Sequence, residues 1–145
     1  MATIGTVGTV ITGTTPSTSN SLYYASDDIP FFKPADISDS AVASICDSEN
    51  HISAIARSKA RIVPAGSILV TCIGTIGKTA ITAVDCAFNQ QINAVVVDKD
   101  RYDAGYIANA IWFAIGRARK TADAPVVPII NKTQFFQHRY TRPTH

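Results

Sequence analysis

Two clusters of chemistry-bearing residues stand in the middle of this chain, Gly74-Thr75-Ile76-Gly77-Lys78 and Asn89-Gln90-Gln91. The first joins two β-branched apolar runs and the second precedes another, so both belong at strand ends, where a rigid sheet presents hydrogen-bonding groups to a ligand. Gly77-Lys78-Thr79 also completes the end of the phosphate-cradling pattern G-x-x-x-x-G-K-[ST]. The first glycine of that pattern is replaced by Cys72, and Ile81-Thr82-Ala83-Val84 continues as β-branched sequence where the pattern needs a helix N-terminus. Neither condition holds, which weighs against the nucleotide reading. Two readings remain, a ligand-contacting loop and a tight turn in which glycine supplies positive φ and Lys78 is solvated.

No acid-base pair accompanies a nucleophile, which argues against an enzyme. Cys46, Cys72 and Cys86 are odd in number and lack C-x-x-C spacing, while His51, His138 and His145 are scattered and lack helical i, i+4 partners. They predict free thiols in a reducing cytoplasm and no metal site or cofactor. The first residues carry no basic segment ahead of an apolar one, and no apolar run reaches spanning length, so neither secretion nor a membrane is expected.

The elements that must position these clusters follow from periodicity. At 145 residues, with 46% apolar and 17% charged residues, the chain predicts one packed domain, residues 1–145. Its net charge of +2 permits an acidic partner without announcing one. Thr3 to Thr12 predicts a strand, or a pair interrupted by glycine, and residues 13–20 a hydroxyl-rich loop. Ile29–Phe32 reads as a short strand. Between Ser38 and Arg61 the β signal lapses, and Ser40–Ile45 and Ile52–Ala60 read as short helices, the second opened by Asn50 or Ser53.

Pro64-Ala65-Gly66 predicts a turn, followed by strands over Ser67–Ile73 and Asn93–Asp98. Asp103 should cap a helix over Ala104–Lys120, whose Ile107, Ala110, Ile111, Ala114 and Ile115 share one face and whose Arg117, Arg119 and Lys120 complement the dipole. Val126–Ile130 contains a proline and predicts an edge strand, and Asn131–Gln134 has the spacing of a capping box that opens a turn of helix through Phe136. The fold class is α+β.

In this order the pieces closely resemble a target recognition domain of the type I restriction-modification specificity subunit. The matching segments are residues 12–18, Ile29 to Ile37, Pro64 to Val70, Gly74 to Lys78, Asn89 to Ala94, the helix around Ile107 to Ile115, and Val127 to Lys132. The resemblance covers about Val10 to Pro143. It implies a compact recognition-domain fold with several short, twisted, partly barrel-like β-strands, one long helix and short helices. It further implies non-catalytic, sequence-specific reading of double-stranded DNA, one half of a split target, alongside methyltransferase and restriction subunits. The chain stops at Arg142-Pro143-Thr144-His145, where the family's spacer helix begins, so a single recognition domain is expected that meets those subunits through a missing or separate helical spacer.

Motifs shared by relatives with different targets should build the framework or touch sequence-neutral phosphates, which points to Lys33, Thr75 and Lys78 as phosphate contacts. Base readers should lie where the shared pattern lapses, making Ser44, Asn50, His51, Ser53, Arg57, Lys59 and Arg61 the candidates. Asn89, Gln90 and Gln91 fit either DNA contact or internal ties between loops, the latter favoured. Two other functions stay open. A truncated interaction or decoy protein would keep the fold without useful DNA binding, and a small-ligand or nucleotide-dependent enzyme would be revealed by nucleotide binding.

Overall fold

The computed structural model describes residues 2–3, 7–121 and 139–140. In chain order the strands are β1 (Ala2–Thr3), β2 (Gly8–Thr12), β3 (Ile29–Phe32), β4 (Ala43–Ile45), β5 (Asn50–Ile52), β6 (Ile62–Val63), β7 (Ile68–Thr71), β8 (Thr79–Thr82), β9 (Cys86–Phe88), β10 (Ile92–Val97) and β11 (Arg139–Tyr140). Among the described residues the α-helix α1 spans Ala104–Thr121, and 3-10 helices occupy Ser21–Tyr24, Pro34–Asp36 and Ala54–Lys59. The edge strand expected at 126–130 and the helical turn expected from Asn131 lie outside the described residues.

Among the described residues two open sheets stack on one another, and no closed barrel forms. The larger has the order β2-β10-β7-β8-β4 and the smaller β5-β3-β9-β6, while β1 pairs separately with β11. The alternation of side chains along each strand separates three apolar layers. Ile68, Val70, Val95 and Val97 face α1 and pack on Ile107, Ile111 and Ile115. Leu69, Ala80, Ile92 and Ala94 face the other way and meet Phe32, Val63, Cys86 and Phe88 between the sheets. Phe31 and Ala87 point outward from the small sheet and are covered, with Ile29 and Ile52, by Ala56, Tyr23 and Tyr24 of two 3-10 segments. Because the large sheet is covered on both faces, its interior strand β10 needs an apolar residue at nearly every position, which is why Val95-Val96-Val97 does not alternate.

The helix begins as expected. The Asp103 carboxylate accepts from Tyr106 N at 2.9 Å, and Ile107, Ile111 and Ile115 are at most 1% exposed. Pro64-Ala65-Gly66 turns with Gly66 at φ 92°. The expected strand at 3–12 is a pair, β1 and β2, that joins different sheets.

The segment from Ser38 to Arg61 departs from expectation. Ala43–Ile45 is a strand, not part of a helix, and pairs in parallel with β8 in the register Ala43↔Ala80, Ser44↔Ile81, Ile45↔Thr82. The free edge of β8 supplies hydrogen-bond partners that outweigh a weak local preference, and Ala83 N extends the ladder to Ile45 O at 2.8 Å. Asn50–Ile52 likewise pairs antiparallel with β3. The second predicted helix is real but tighter and shorter, a 3-10 helix over Ala54–Lys59 with Ser53 at its N-cap position and Ala56 buried. It crosses the outer face of the small sheet from one edge strand, β5, to the other, β6.

Candidate nucleic-acid interface

Strand registers bring four loops to one end of the molecule. Thr12 pairs with Asn93, and Ile92 pairs with Thr71, so the ends of β2 and β7 meet the start of β10. Phe32 pairs with Phe88, so the end of the small sheet arrives there too. The residues that leave these ends are Gly13 to Thr15, Lys33, the turn Ile73 to Lys78, and the amides Asn89 to Gln91.

Most polar groups at this end bond inward. Thr14 N donates to Phe88 O at 3.1 Å, Asn89 N to Phe32 O at 3.1 Å and Cys72 N to Gln91 O at 2.8 Å. Among side chains, Thr15 Oγ1 donates to Gln90 Oε1 at 2.6 Å, and Asn89 Nδ2 to Gln91 Oε1 at 3.2 Å. Asn89 is 8% exposed, and its Oδ1 also takes Gln91 N at 3.0 Å, closing the turn into β10. Gly13 threads this network so closely that a Cβ there would lie 2.1 Å from Asn89 O.

One layer deeper, Thr12 Oγ1 donates to Asn93 Oδ1 at 2.7 Å and Asn93 Nδ2 to Cys72 Sγ at 3.2 Å. Burial pushes the Cys72 thiol up to about 11, an effect that the bonds from Asn93 oppose. Burial raises Cys86 to about 11 as well. Both stay protonated and unreactive at neutral pH, whereas Cys46 is exposed. Asn93 was absent from the candidate residues. Its signal is a lone amide in an apolar strand, which demands a buried partner.

The glycine turn is anchored from both sides. Gly74 and Gly77 adopt φ of 79° and 93°, and Thr71 holds the loop through Gly77 N to Thr71 O at 2.9 Å and Lys78 N to Thr71 Oγ1 at 3.0 Å. Ile76 is 3% exposed in the layer beneath α1, and a Cβ on Gly77 would lie 2.7 Å from Ile115 Cγ2. Ile76 thus faces the core, while Thr75 is exposed and Lys78 half-buried. No helix follows, since β8 begins at Thr79. The arrangement is a β-hairpin, without the strand-to-helix geometry of a nucleotide-phosphate loop.

Lys33 stands at the same end but on the small sheet, its Nζ 5.9 Å from the Phe31 ring centroid. Its backbone N donates to Asp36 Oδ2 at 2.8 Å. The structure therefore brings Thr75 and Lys78 together on one hairpin and sets Lys33 apart from them.

The other candidates lie elsewhere. Ser44 is exposed on the edge strand of the large sheet, and Asn50 and His51 are half-buried on the edge strand of the small one. His51 Nε2 meets Asp47 Oδ1 at 2.7 Å, and that bond, with one from Ser48 N, holds the Asp47 carboxyl below the usual range. Ser53 is 3% exposed and turned inward, its Oγ accepting Ser26 N at 3.1 Å. Arg57, Lys59 and Arg61 are exposed in or just after the 3-10 crossover. None of these three, nor Lys78, forms an ion pair among the described residues. The described residues also contain no metal-ligating cluster of three, and no helix long and apolar enough to cross a membrane.

Comparison with known proteins identifies the architecture. Residues 1–118 match the model of the type I restriction modification DNA specificity domain. The chain belongs to that family. It is 35% identical over 102 residues to the HindI type I restriction enzyme specificity subunit of Haemophilus influenzae, an alignment covering 70% of this chain and 22% of that protein. A chain from a solved type I R-M system, described for its complex assembly and conformational transition, superposes with a TM-score of 0.71 at 18% identity, over 97% of this chain and 32% of the other. The HsdS subunit from Thermoanaerobacter tengcongensis gives 0.67 at 18% identity, over 93% and 30%. These structures share the specificity-domain fold, and this chain spans about a fifth to a third of the proteins it matches.

Proposed function

We propose that this specificity domain reads double-stranded DNA, one half of a split target, without performing chemistry, and that it serves methyltransferase and restriction subunits of a type I system. The observation that carries this reading is the set of exposed cations Arg57, Lys59 and Arg61, free of ion pairs among the described residues, in and just after a crossover fastened to the small sheet. Family membership gives such cations a duplex as their natural partner. A guanidinium bonds guanine O6 and N7 in the major groove, and lysine reaches the same acceptors. Ser44, Asn50 and His51 extend this set along the sheet edges, with His51 committing Nε2 to Asp47. Ser53 drops out of it, because its hydroxyl is buried and already bonded.

Lys33, Thr75 and Lys78 take the phosphate role. They project from loops whose backbone is held by other bonds, so they position the duplex without reading it. The decisive experiment is selection from randomised duplex DNA with the full chain, followed by salt titration. The expected result is one enriched sequence, bound weakly by a lone half-site reader and more weakly as salt rises. Absence of duplex binding at low salt would overturn the proposal.

A further inference from the structure

Two of the four large apolar side chains exposed among the described residues sit on the outer face of the small sheet, Leu22 at 61% and Ile55 at 57% exposure. Neither belongs to a loose loop. Leu22 N donates to the Asn20 side chain at 3.1 Å, and Ser53 N donates to Tyr23 O at 2.7 Å, joining the Ser21–Tyr24 and Ala54–Lys59 segments. Asp28 Oδ2 takes both Ser26 Oγ at 2.6 Å and Ala54 N at 2.8 Å. Tyr23, Tyr24 and Ala56 turn inward onto the sheet, so the layer is anchored while Leu22 and Ile55 face solvent.

A single exposed aliphatic side chain needs no explanation. A pair held on two fastened segments, with the exposed cations Arg57 and Lys59 two and four residues after Ile55 on the same 3-10 segment, has the composition of a surface for an anionic partner that also offers apolar contact. Duplex DNA presents that combination in its major groove, where thymine alone carries a methyl group. We propose that Leu22 and Ile55 pack against thymine C5-methyl groups in the duplex that Arg57 and Lys59 hold, and so add to sequence discrimination. The proposal rests on the DNA-reading function above. Its contribution should be independent of salt, because apolar contact releases no counterions.

The test compares the full chain with Leu22→Ser and Ile55→Ser on the selected duplex and on the same duplex with deoxyuridine in place of thymine. Both side chains are exposed, so thermal melting should be unchanged. Each variant should lose about tenfold in affinity for the thymine duplex, comparable to one mismatched base pair, with an unaltered salt slope. The unmodified chain should lose about a hundredfold on the deoxyuridine duplex, the product of both contacts, and each single variant only the roughly tenfold that its remaining apolar side chain contributes. Unchanged affinity in both variants, equal losses on the two duplexes, or a selected target without thymine would overturn this inference alone. If the unmodified chain binds no duplex at low salt, the DNA-reading function falls with it.

Discussion

At the loop end, Thr12, Thr15, Asn89, Gln90 and Gln91 bond one another or the strands beside them, and Gly13 and Gly77 fit where a methyl group would collide. On the outer face of the small sheet, Arg57, Lys59, Leu22 and Ile55 face solvent from a layer that is fastened beneath them. The two regions use side chains in opposite directions. The loop end is a frame that satisfies most of its polar groups internally, whereas the crossover leaves its side chains available. A module that must keep its shape while changing its ligand benefits from this separation, because substitutions in the crossover leave the frame's hydrogen bonds intact.

The sharpest way to break the comparison is through the frame's support. Ile111→Ala removes a side chain 1% exposed between α1 and the large sheet, and should lower stability by about 3 kcal/mol. Gly77→Ala combines a positive φ with a contact against Ile115 and should cost about 2 kcal/mol. Denaturant titration reads both. A Gly77 variant of unchanged midpoint would mean that the turn is not a fixed part of the frame.

Ser53→Ala should fall between the regions, costing about 1 kcal/mol by leaving Ser26 N without its acceptor. Any change in DNA preference beyond that expected from this destabilisation would return Ser53 to the reading surface. Arg57→Ala and Lys59→Ala should leave stability within about 0.5 kcal/mol but shift preference among duplexes. Lys78→Ala should weaken all duplexes by a similar factor and flatten the salt slope. Competition titrations separate these outcomes, and a Lys78 variant that alters preference would reverse the two roles.

The smallest expected effect concerns acid. Asp28 and Asp47 have folded pKa values lowered below 3.8, chiefly by the hydrogen bonds from Ser26 and His51 respectively. A lowered folded pKa adds stability that is fully present above the unfolded value and lost as pH falls through the folded one. Unfolding midpoints should therefore decline on acidification below about pH 4, and Asp28→Asn should make that decline shallower. A decline of unchanged steepness would show that the Asp28 bonds do not hold the outer layer in solution.

The regular parts of this molecule were legible because their signals are local. The Asp103 cap, the helical spacing of Ile107, Ile111 and Ile115, and the glycines demanding positive φ each act within a few residues. The failed phosphate-loop pattern was legible for the same reason, since β-branched residues follow Lys78 where a helix had to begin. The strand at Ala43–Ile45 is not legible locally, because its partner, β8, is far along the chain and only the folded molecule offers that open edge. Tertiary structure also decided that Ser53 turns inward while Arg57, four residues later, faces solvent, and that Thr75 and Lys78 stand on a different sheet from Lys33. Sequence by itself determined which residue types were available and where the chain could turn. Which of them meet, and which face a ligand, depended on the order in which distant strands stack, and no local preference encodes that order.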